Sequence, residues 1–320
     1  MADATAGMTR LIINGKSSQV PELREAVKAL RKEGYDLQVR VTWELGDGLR
    51  YAQEACREGI GRLIVGGGDG SVNEVVNGLM RLEEAERAAL GVLPLGSAND
   101  LARGLGLSLE PQIALREALS VSSRAVDVAH LGDDYFINVA SGGFGAQVTT
   151  STPRALKRVL GGGAYALMGM FKVWHYRPYS GLIRWNENGQ EKEIEAPLFL
   201  LAIANGSQAG GGQQLAPQAK IDDGLLDILI VRHFSSLSEM RQLMHELERI
   251  PENGDFVRTV RAPRVTFHAD GAFPLNLDGE PRYLREFEAT LIPRAIRMLL
   301  PTSSPLLSSV STAQAETVSS

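Results

Sequence analysis

Two rhythms of apolar residues divide the chain. Over roughly the first 120 residues, short apolar runs alternate with stretches in which apolar residues recur every three or four positions. "RLII" (Arg10 to Ile13) reads as a strand. "PELREAVKALRKEG" reads as a helix with Pro21 in its first turn, Gly34 as its stop and Leu23, Val27 and Leu30 as its buried stripe. "LQVRVTW" is a strand by alternation, "GDGLRYAQEACREG" a second helix, and Arg62 to Val65 begin a third strand. A helix over Val72 to Met80 follows, then a strand at Gly91 to Leu95. This order predicts a parallel sheet with helices on both faces. From about Arg124 the rhythm changes to short β-branched segments broken by Gly, Asn and Asp, which predicts an antiparallel sandwich or barrel. Helical insertions are expected near Arg154–Trp174 and Leu237–Ile250.

The fold class is therefore α/β followed by β. The expected division is an α/β nucleotide-binding domain at 1–125 and a β-rich sandwich at 126–300, with a return of its last strand to the first domain left open. The Ser/Thr/Ala-rich stretch 301–320 is expected to be a disordered tail. Ligand is expected in the cleft between the domains, beyond the carboxyl ends of the parallel strands.

Composition narrows the function classes. The chain of 320 residues is 44% hydrophobic and 22% charged with a net charge of −5, so a dedicated nucleic-acid binder is disfavoured. One cysteine, Cys56, allows no internal disulfide, and the five histidines lack metal-ligand spacing. The N-terminal residues do not read as a secretory signal. The longest apolar run, Leu198 to Ala204, is far short of the ~20 residues that span a bilayer. A cytoplasmic protein that meets a membrane only from the side is expected.

Candidate chemistry concentrates in "IVGGGDGSVNEVVNGLM". A P-loop needs a glycine five positions before Gly15, where Arg10 stands, and the spacing of Gly66, Gly68 and Ser71 does not complete a dinucleotide fingerprint. Gly66, Gly67, Gly68 and Gly70 allow positive φ and close backbone approach. Ser71 and Glu74 have the spacing of a capping box. Asp69 beside a phosphate implies Mg²⁺, or an organising role through loop amides. "PLGSAND" repeats the arrangement one strand later with Ser97, Asn99 and Asp100.

"GGGDGSVNEVVNGL" with "LPLGSANDLARGLG" resembles the catalytic domain of the diacylglycerol-kinase and sphingosine-kinase superfamily, and is most similar to bacterial YegS-like lipid kinases. "FINVASGGFGAQVT", "ANGSQAGGGQQLAPQAKIDDGLLDI" and "FPLNLDGEP" extend the resemblance over nearly the whole chain, with Ser71 and Ser97 standing where the family usually has Thr. The resemblance implies transfer of the γ-phosphoryl group of ATP to a hydroxyl of phosphatidylglycerol or diacylglycerol, with Mg²⁺ or another divalent cation such as Ca²⁺. It implies nucleotide contacts at Thr42, Gly68, Asp69, Gly70, Ser71, Val72, Asn73, Glu74 and Ser97. It implies a metal held by Asp223 and main-chain oxygens of Lys220 and Leu225. Glu280 would be the general base, with Asp278 beside it; from the residues alone, "DG" here is first a hairpin turn. Asp127 is an acid near the domain junction, in a metal–water network or structural. An NAD kinase-like enzyme and a non-catalytic nucleotide or lipid sensor are the alternatives.

A lipid kinase must reach its substrate at a membrane surface. Within 153–177, Leu156, Leu160, Leu167 and Phe171 share a helical stripe with Arg154, Lys157, Arg158 and Lys172 nearby, and Trp174 and Tyr176 follow. That pattern fits either an interfacial helix or one packed on the β domain.

Overall fold

The computed structural model describes residues 7–143, 178–187 and 189–308. The first part runs β1 (Thr9–Asn14), α1 (Pro21–Lys32), β2 (Leu37–Thr42), α2 (Asp47–Arg57), β3 (Arg62–Gly67), α3 (Asp69–Met80), β4 (Ala89–Pro94), α4 (Asp100–Gly104) and α5 (Pro111–Ser120). β2, β1, β3 and β4 lie side by side in parallel, with Asn14 opposite Thr42 and Gly67 opposite Pro94. Their carboxyl ends therefore share one edge, and the loops after them crowd together there. Leu23, Val27 and Leu30 of α1 pack with Leu115 of α5 on one face of this sheet. Ala52 and Ala55 of α2 pack with Val72, Val76 and Leu79 of α3 on the other.

The second part contains β5 (Ser123–Leu131), β6 (Asp134–Phe136), β7 (Val139–Gly143), β8 (Tyr179–Glu187), β9 (Gln190–Ala204), β10 (Gln208–Ala209), β11 (Gln213–Gln214), β12 (Leu226–Arg232), α6 (Leu237–Arg249), β13 (Val257–Ala262), β14 (Arg264–Leu277) and β15 (Glu280–Leu299). The long strands β9 and β14 each pair with β8 near one end and β7 near the other, so the ladder wraps into two layers. Phe136, Ile183, Trp185, Phe267 and Phe273 fill the space between.

β15 joins the two parts. Its first half pairs with β14, its second half with β5, and Met298 lies opposite Leu90 of β4 in parallel. A 13-stranded hydrogen-bonded sheet thus runs through both parts, and β10 and β11 form a separate two-stranded ribbon.

Two expectations need correction. The helix after the glycine loop begins at Asp69, not Val72, because the backbone already turns helical after Gly68. Residues 301–308, expected to open a disordered tail, are packed. Leu306 and Ser304 are buried, the Leu306 carbonyl accepts from the Ile221 amide, and Ser304 Oγ donates to the Leu105 carbonyl. Pro301, Pro305 and Leu306 supply rigidity and apolar surface that the Ser-rich text around them conceals. The basic stripe at 153–177 lies outside the described residues.

Candidate active site

The glycine loop is built for contact between backbones. Gly66, Gly67, Gly68 and Gly70 all have φ outside the left-handed region, contrary to expectation. Their missing β-carbons are used for space. A β-carbon on Gly96 would collide with the Gly68 Cα, and one on Gly67 would collide with Ser71. The loops after β3 and β4 therefore touch backbone to backbone. The predicted capping box is also absent. Ser71 Oγ lies inside α3 and accepts from Asn14 Nδ2 at 3.2 Å. Glu74 reaches away, and its Oε2 accepts from the Gly48 amide at 3.0 Å, fastening α3 to the start of α2. Burial raises the Glu74 carboxyl above its usual range, and the negative charge of Glu280 adds to this.

Asp69 is an organiser of this wall. Its two oxygens accept from the Asp100 amide at 3.2 Å and the Leu101 amide at 3.1 Å, capping α4. Burial raises its carboxyl, and those two amide bonds oppose the shift. With both oxygens engaged by amides, the geometry supports the organising role for Asp69. Asp100, which the sequence marked only as a helix start, repeats the device. Its oxygens accept from the Gly211 amide at 2.9 Å and the Gly212 amide at 2.7 Å, in a hairpin loop where Gly210, Gly211 and Gly212 all have positive φ. Asn99 closes its own loop with Gly96, and Ser97 stands exposed at that loop's tip. Thr42 lies beside the wall, its carbonyl against Gly15. Val72 turns its side chain into the core, and Asn73 spends its side-chain amide on the Tyr135 carbonyl and Asp278. Only the main chain of Val72 is thus left for a ligand.

The tip of the β14–β15 hairpin carries two acids of opposite character. Asp278, with φ +48°, is buried and accepts from the amides of Ile137 (2.8 Å), Asn138 (3.1 Å) and Val139 (2.8 Å) and from Asn73 Nδ2 (3.3 Å). Burial pushes its carboxyl up to about 6 against those four donors. This acid locks the hairpin to the α3 wall. Glu280, two residues on, is half-buried and has no hydrogen bond or ion pair among the described residues. Its Oε1 lies 3.6 Å from where a Gly70 β-carbon would stand, over the first turn of α3. A helix N-terminus favours an anion, so phosphate and base are offered to one small volume.

The turn between β11 and β12 holds the other predicted group. Lys220 Nζ donates to the Pro305 carbonyl at 2.7 Å. Asp223 accepts from the Leu225 amide at 3.0 Å and pairs with Arg261. Asp127 is fully buried and accepts from the amides of Gly224 (2.8 Å) and Arg294 (2.7 Å), so its role is structural, tying this turn to β15. Asp227 pairs through one oxygen with Arg261 at 3.2 Å, while its buried Oδ2 has no partner; burial raises it to about 6. Oxygen donors alone, an excess of carboxylates and an orphaned oxygen suit a hard divalent cation. Among the described residues, no group of three His, Cys, Asp or Glu side chains forms a metal cage. A cation here therefore needs main-chain oxygens such as those of Lys220 and Leu225. No hydrogen bond or ion pair links this turn directly to Glu280.

Comparison with known proteins matches this architecture. The diacylglycerol kinase catalytic domain family model covers residues 8–131, and the YegS C-terminal NAD kinase beta sandwich-like domain covers 138–300. A Chromohalobacter salexigens protein named "Probable lipid kinase YegS-like" is 62% identical over 302 residues, spanning 94% of this chain and 96% of the relative. A Shewanella frigidimarina protein of the same name is 40% identical over 299 residues, spanning 93% and 95%. The crystal structure of a diacylglycerol kinase from Bacillus anthracis superposes with a TM-score of 0.72 at 26% identity, covering 92% of this chain and 97% of the other. Matched in both its parts over nearly its whole length, the chain belongs to the YegS-like lipid kinase family.

Proposed function

We propose that the protein transfers the γ-phosphoryl group of ATP to a hydroxyl of a glycerolipid of the phosphatidylglycerol or diacylglycerol type, in the cytoplasm at the inner face of a membrane. The observation that carries this reading is the unpartnered Glu280 carboxylate above the first turn of α3. The amides and dipole at that turn, with Thr42, Ser71 and Ser97 around it, hold the triphosphate. Glu280 accepts the lipid hydroxyl proton as the new O–P bond forms and the bond from phosphorus to ADP breaks. Asp69, Asp100 and Asp278 keep the loops at the spacing this needs. A divalent cation, Mg²⁺ or Ca²⁺, would be held by Asp223 with the Lys220 and Leu225 carbonyls, and its charge would stabilise phosphate. The oxygen-only donors of the 220–227 turn support that assignment.

Glu280→Gln tests the reading, because the amide keeps size and removes the basic site. General-base assistance is worth ~10²–10⁴ in rate, and that loss is expected in kcat with ATP affinity nearly unchanged. A variant retaining more than about a tenth of the wild-type rate would take Glu280 out of the catalytic role. Diacylglycerol, phosphatidylglycerol and NAD offered side by side separate the lipid reading from an NAD kinase. Tight ATP binding without turnover on any of them would identify a sensor.

A further inference from the structure

Trp43 and Leu45 break the usual rule for large apolar side chains. They are 96% and 83% exposed, one residue apart in the turn between β2 and α2, and Val41 beside them is also exposed. Tryptophan is ordinarily among the most buried residues on average. Nothing in the turn is loose. The Trp43 and Glu44 amides both donate to Asp47 Oδ2, at 2.7 and 3.2 Å. Arg50 holds the other Asp47 oxygen, and Glu74 holds the Gly48 amide. The base of the turn is thus satisfied by its own hydrogen bonds, and the two side chains stand out from it.

The position of this projection is as informative as its exposure. Thr42, the last residue of β2, lies at the carboxyl edge shared by the parallel strands, the edge that carries the glycine loops. Its carbonyl touches Gly15, which brings the exposed Lys16 to the same rim. Arg40, exposed two residues before Thr42, has its charge near Glu58 at the far end of α2 and does not count toward this rim. Glu44 is the one acid between the two apolar side chains that points to solvent, since Asp47 is buried and paired with Arg50. An indole and a leucine with Lys16 on the same rim match a bilayer interface, where aromatic rings sit at headgroup level and cations meet phosphate.

We propose that Trp43 and Leu45 form a rigid prong that inserts into the headgroup region of a phospholipid bilayer, with Lys16 against lipid phosphates. The prong holds the carboxyl edge of the sheet, and Glu280 with it, toward the surface from which the lipid is taken. Because the turn is already ordered, insertion requires little further loss of conformational freedom. The inference rests on the lipid-kinase reading for the identity of the surface, while the contact itself is measurable without turnover.

The chain has three tryptophans, and Trp185 is buried in the sandwich. A Trp174→Phe protein therefore reports on Trp43 against a shielded background. Phosphatidylcholine vesicles containing phosphatidylglycerol, with brominated acyl chains, should quench this protein and leave Trp43→Phe/Trp174→Phe unquenched. Trp43→Ala/Leu45→Ala should partition into the same vesicles at least about tenfold more weakly. Its ATP binding, and its phosphorylation of a short-chain diacylglycerol in free solution, should stay within about twofold of wild type. Absence of quenching, or unchanged partitioning, overturns the proposal. So does protection of Trp43 by ATP alone, which would assign the ring to the nucleotide. A wild-type dimer split by the double variant would assign the prong to a second copy and equally overturn it. Quenching with no lipid phosphorylated upholds the prong and removes the lipid-kinase reading instead.

Discussion

The acids of the α3 wall and the acids of the 220–227 turn solve the same problem differently. Asp100 and Asp278 are removed from water and Asp69 partly so, and each accepts hydrogen bonds from backbone amides. No cation takes part. In the turn, burial first and then the charges of Asp223 and Asp222 disfavour ionisation of Asp127; burial, with Asp223 adding, does the same to Asp227, and Arg261 is the one side-chain cation paired with these acids among the described residues. Asp227 still has an oxygen with nothing to accept from. In the first region every carboxylate oxygen has a donor, although Asp100 still disfavours ionisation of Asp69. The second leaves one buried carboxylate oxygen without a donor among the described residues, and that difference, more than a count of carboxylates, marks it as the candidate cation site.

The comparison is tested hardest at Asp278. Asn in its place keeps one acceptor and turns an amide group toward backbone N–H donors. Leaving buried donors unpaired costs ~1–3 kcal/mol each, so a loss of about 3 kcal/mol is expected in urea unfolding. The pH dependence should change as well. Asp278 titrates at about 6 when folded against 3.8 as the ordinary value. The folded state therefore binds the proton more tightly, and this group's contribution to stability declines as pH rises from about 4 toward 6. Asp278→Asn should remove that part of the slope. An unchanged slope and a loss under about 1 kcal/mol would mean the amides were not serving the carboxylate.

Asp100→Asn comes next, at roughly 2 kcal/mol, and locally. Amide exchange at Gly211 and Gly212 should accelerate more than exchange in β3 or β4. Equal acceleration everywhere would deny that Asp100 grips the hairpin loop.

Asp227→Asn should act in the opposite direction. Removing a half-paired buried acid should leave the cation-free protein as stable or about 1 kcal/mol more stable above pH ~6, where wild-type Asp227 is ionised. Wild type should gain thermal stability from added Mg²⁺ or Ca²⁺, and Asp223→Asn should gain less. Melting curves at acidic and neutral pH, with and without the cation, carry both results. Identical cation responses in the two proteins would return this turn to the class of frame.

The smallest change is expected from Gly211→Ala. Its φ of +91° is strained for alanine, but open space awaits the methyl group. About 1 kcal/mol is expected, read as a shift in melting temperature. A larger loss would mean that the loop bears more than its grip by Asp100.

The alternation of β1 to α5 was legible because each element announces itself within its own span. Leu23, Val27 and Leu30 define a helical face without knowledge of any partner. The site was legible as a set of motifs and much less as a set of contacts. Ser71 and Glu74 have the spacing of a capping box, yet Asn14 and Gly48, far away in the chain, took their side chains. Asp100 looked like the start of a helix because its partners lie at Gly211 and Gly212. Asp278 looked like a hairpin residue, and it is one, but its donors at Ile137 to Val139 belong to another strand connection. The glycines at 66 to 70 suggested unusual torsions. Their reason, the approach of Gly96, is visible only when two loops are brought together. Local patterns report what a segment can do alone, and competition from distant groups decides what it does.

β15 imposes an order on the making of the protein. Leu90 of β4 has its partner at Met298, and the Arg87 guanidinium donates to the Ala295 carbonyl at 2.6 Å. While the ribosome is still adding the second half of the chain, β4 is therefore a second open edge, opposite the permanent edge strand β2, a state prone to the wrong neighbours. The strand that closes this edge begins at Glu280. A nascent chain that stops short of Met298 lacks the seal, and one that stops short of Glu280 lacks the acid at the other end of the same strand as well. Closure of the sheet at β4 and delivery of Glu280 both wait on this last long strand, so both come late in synthesis.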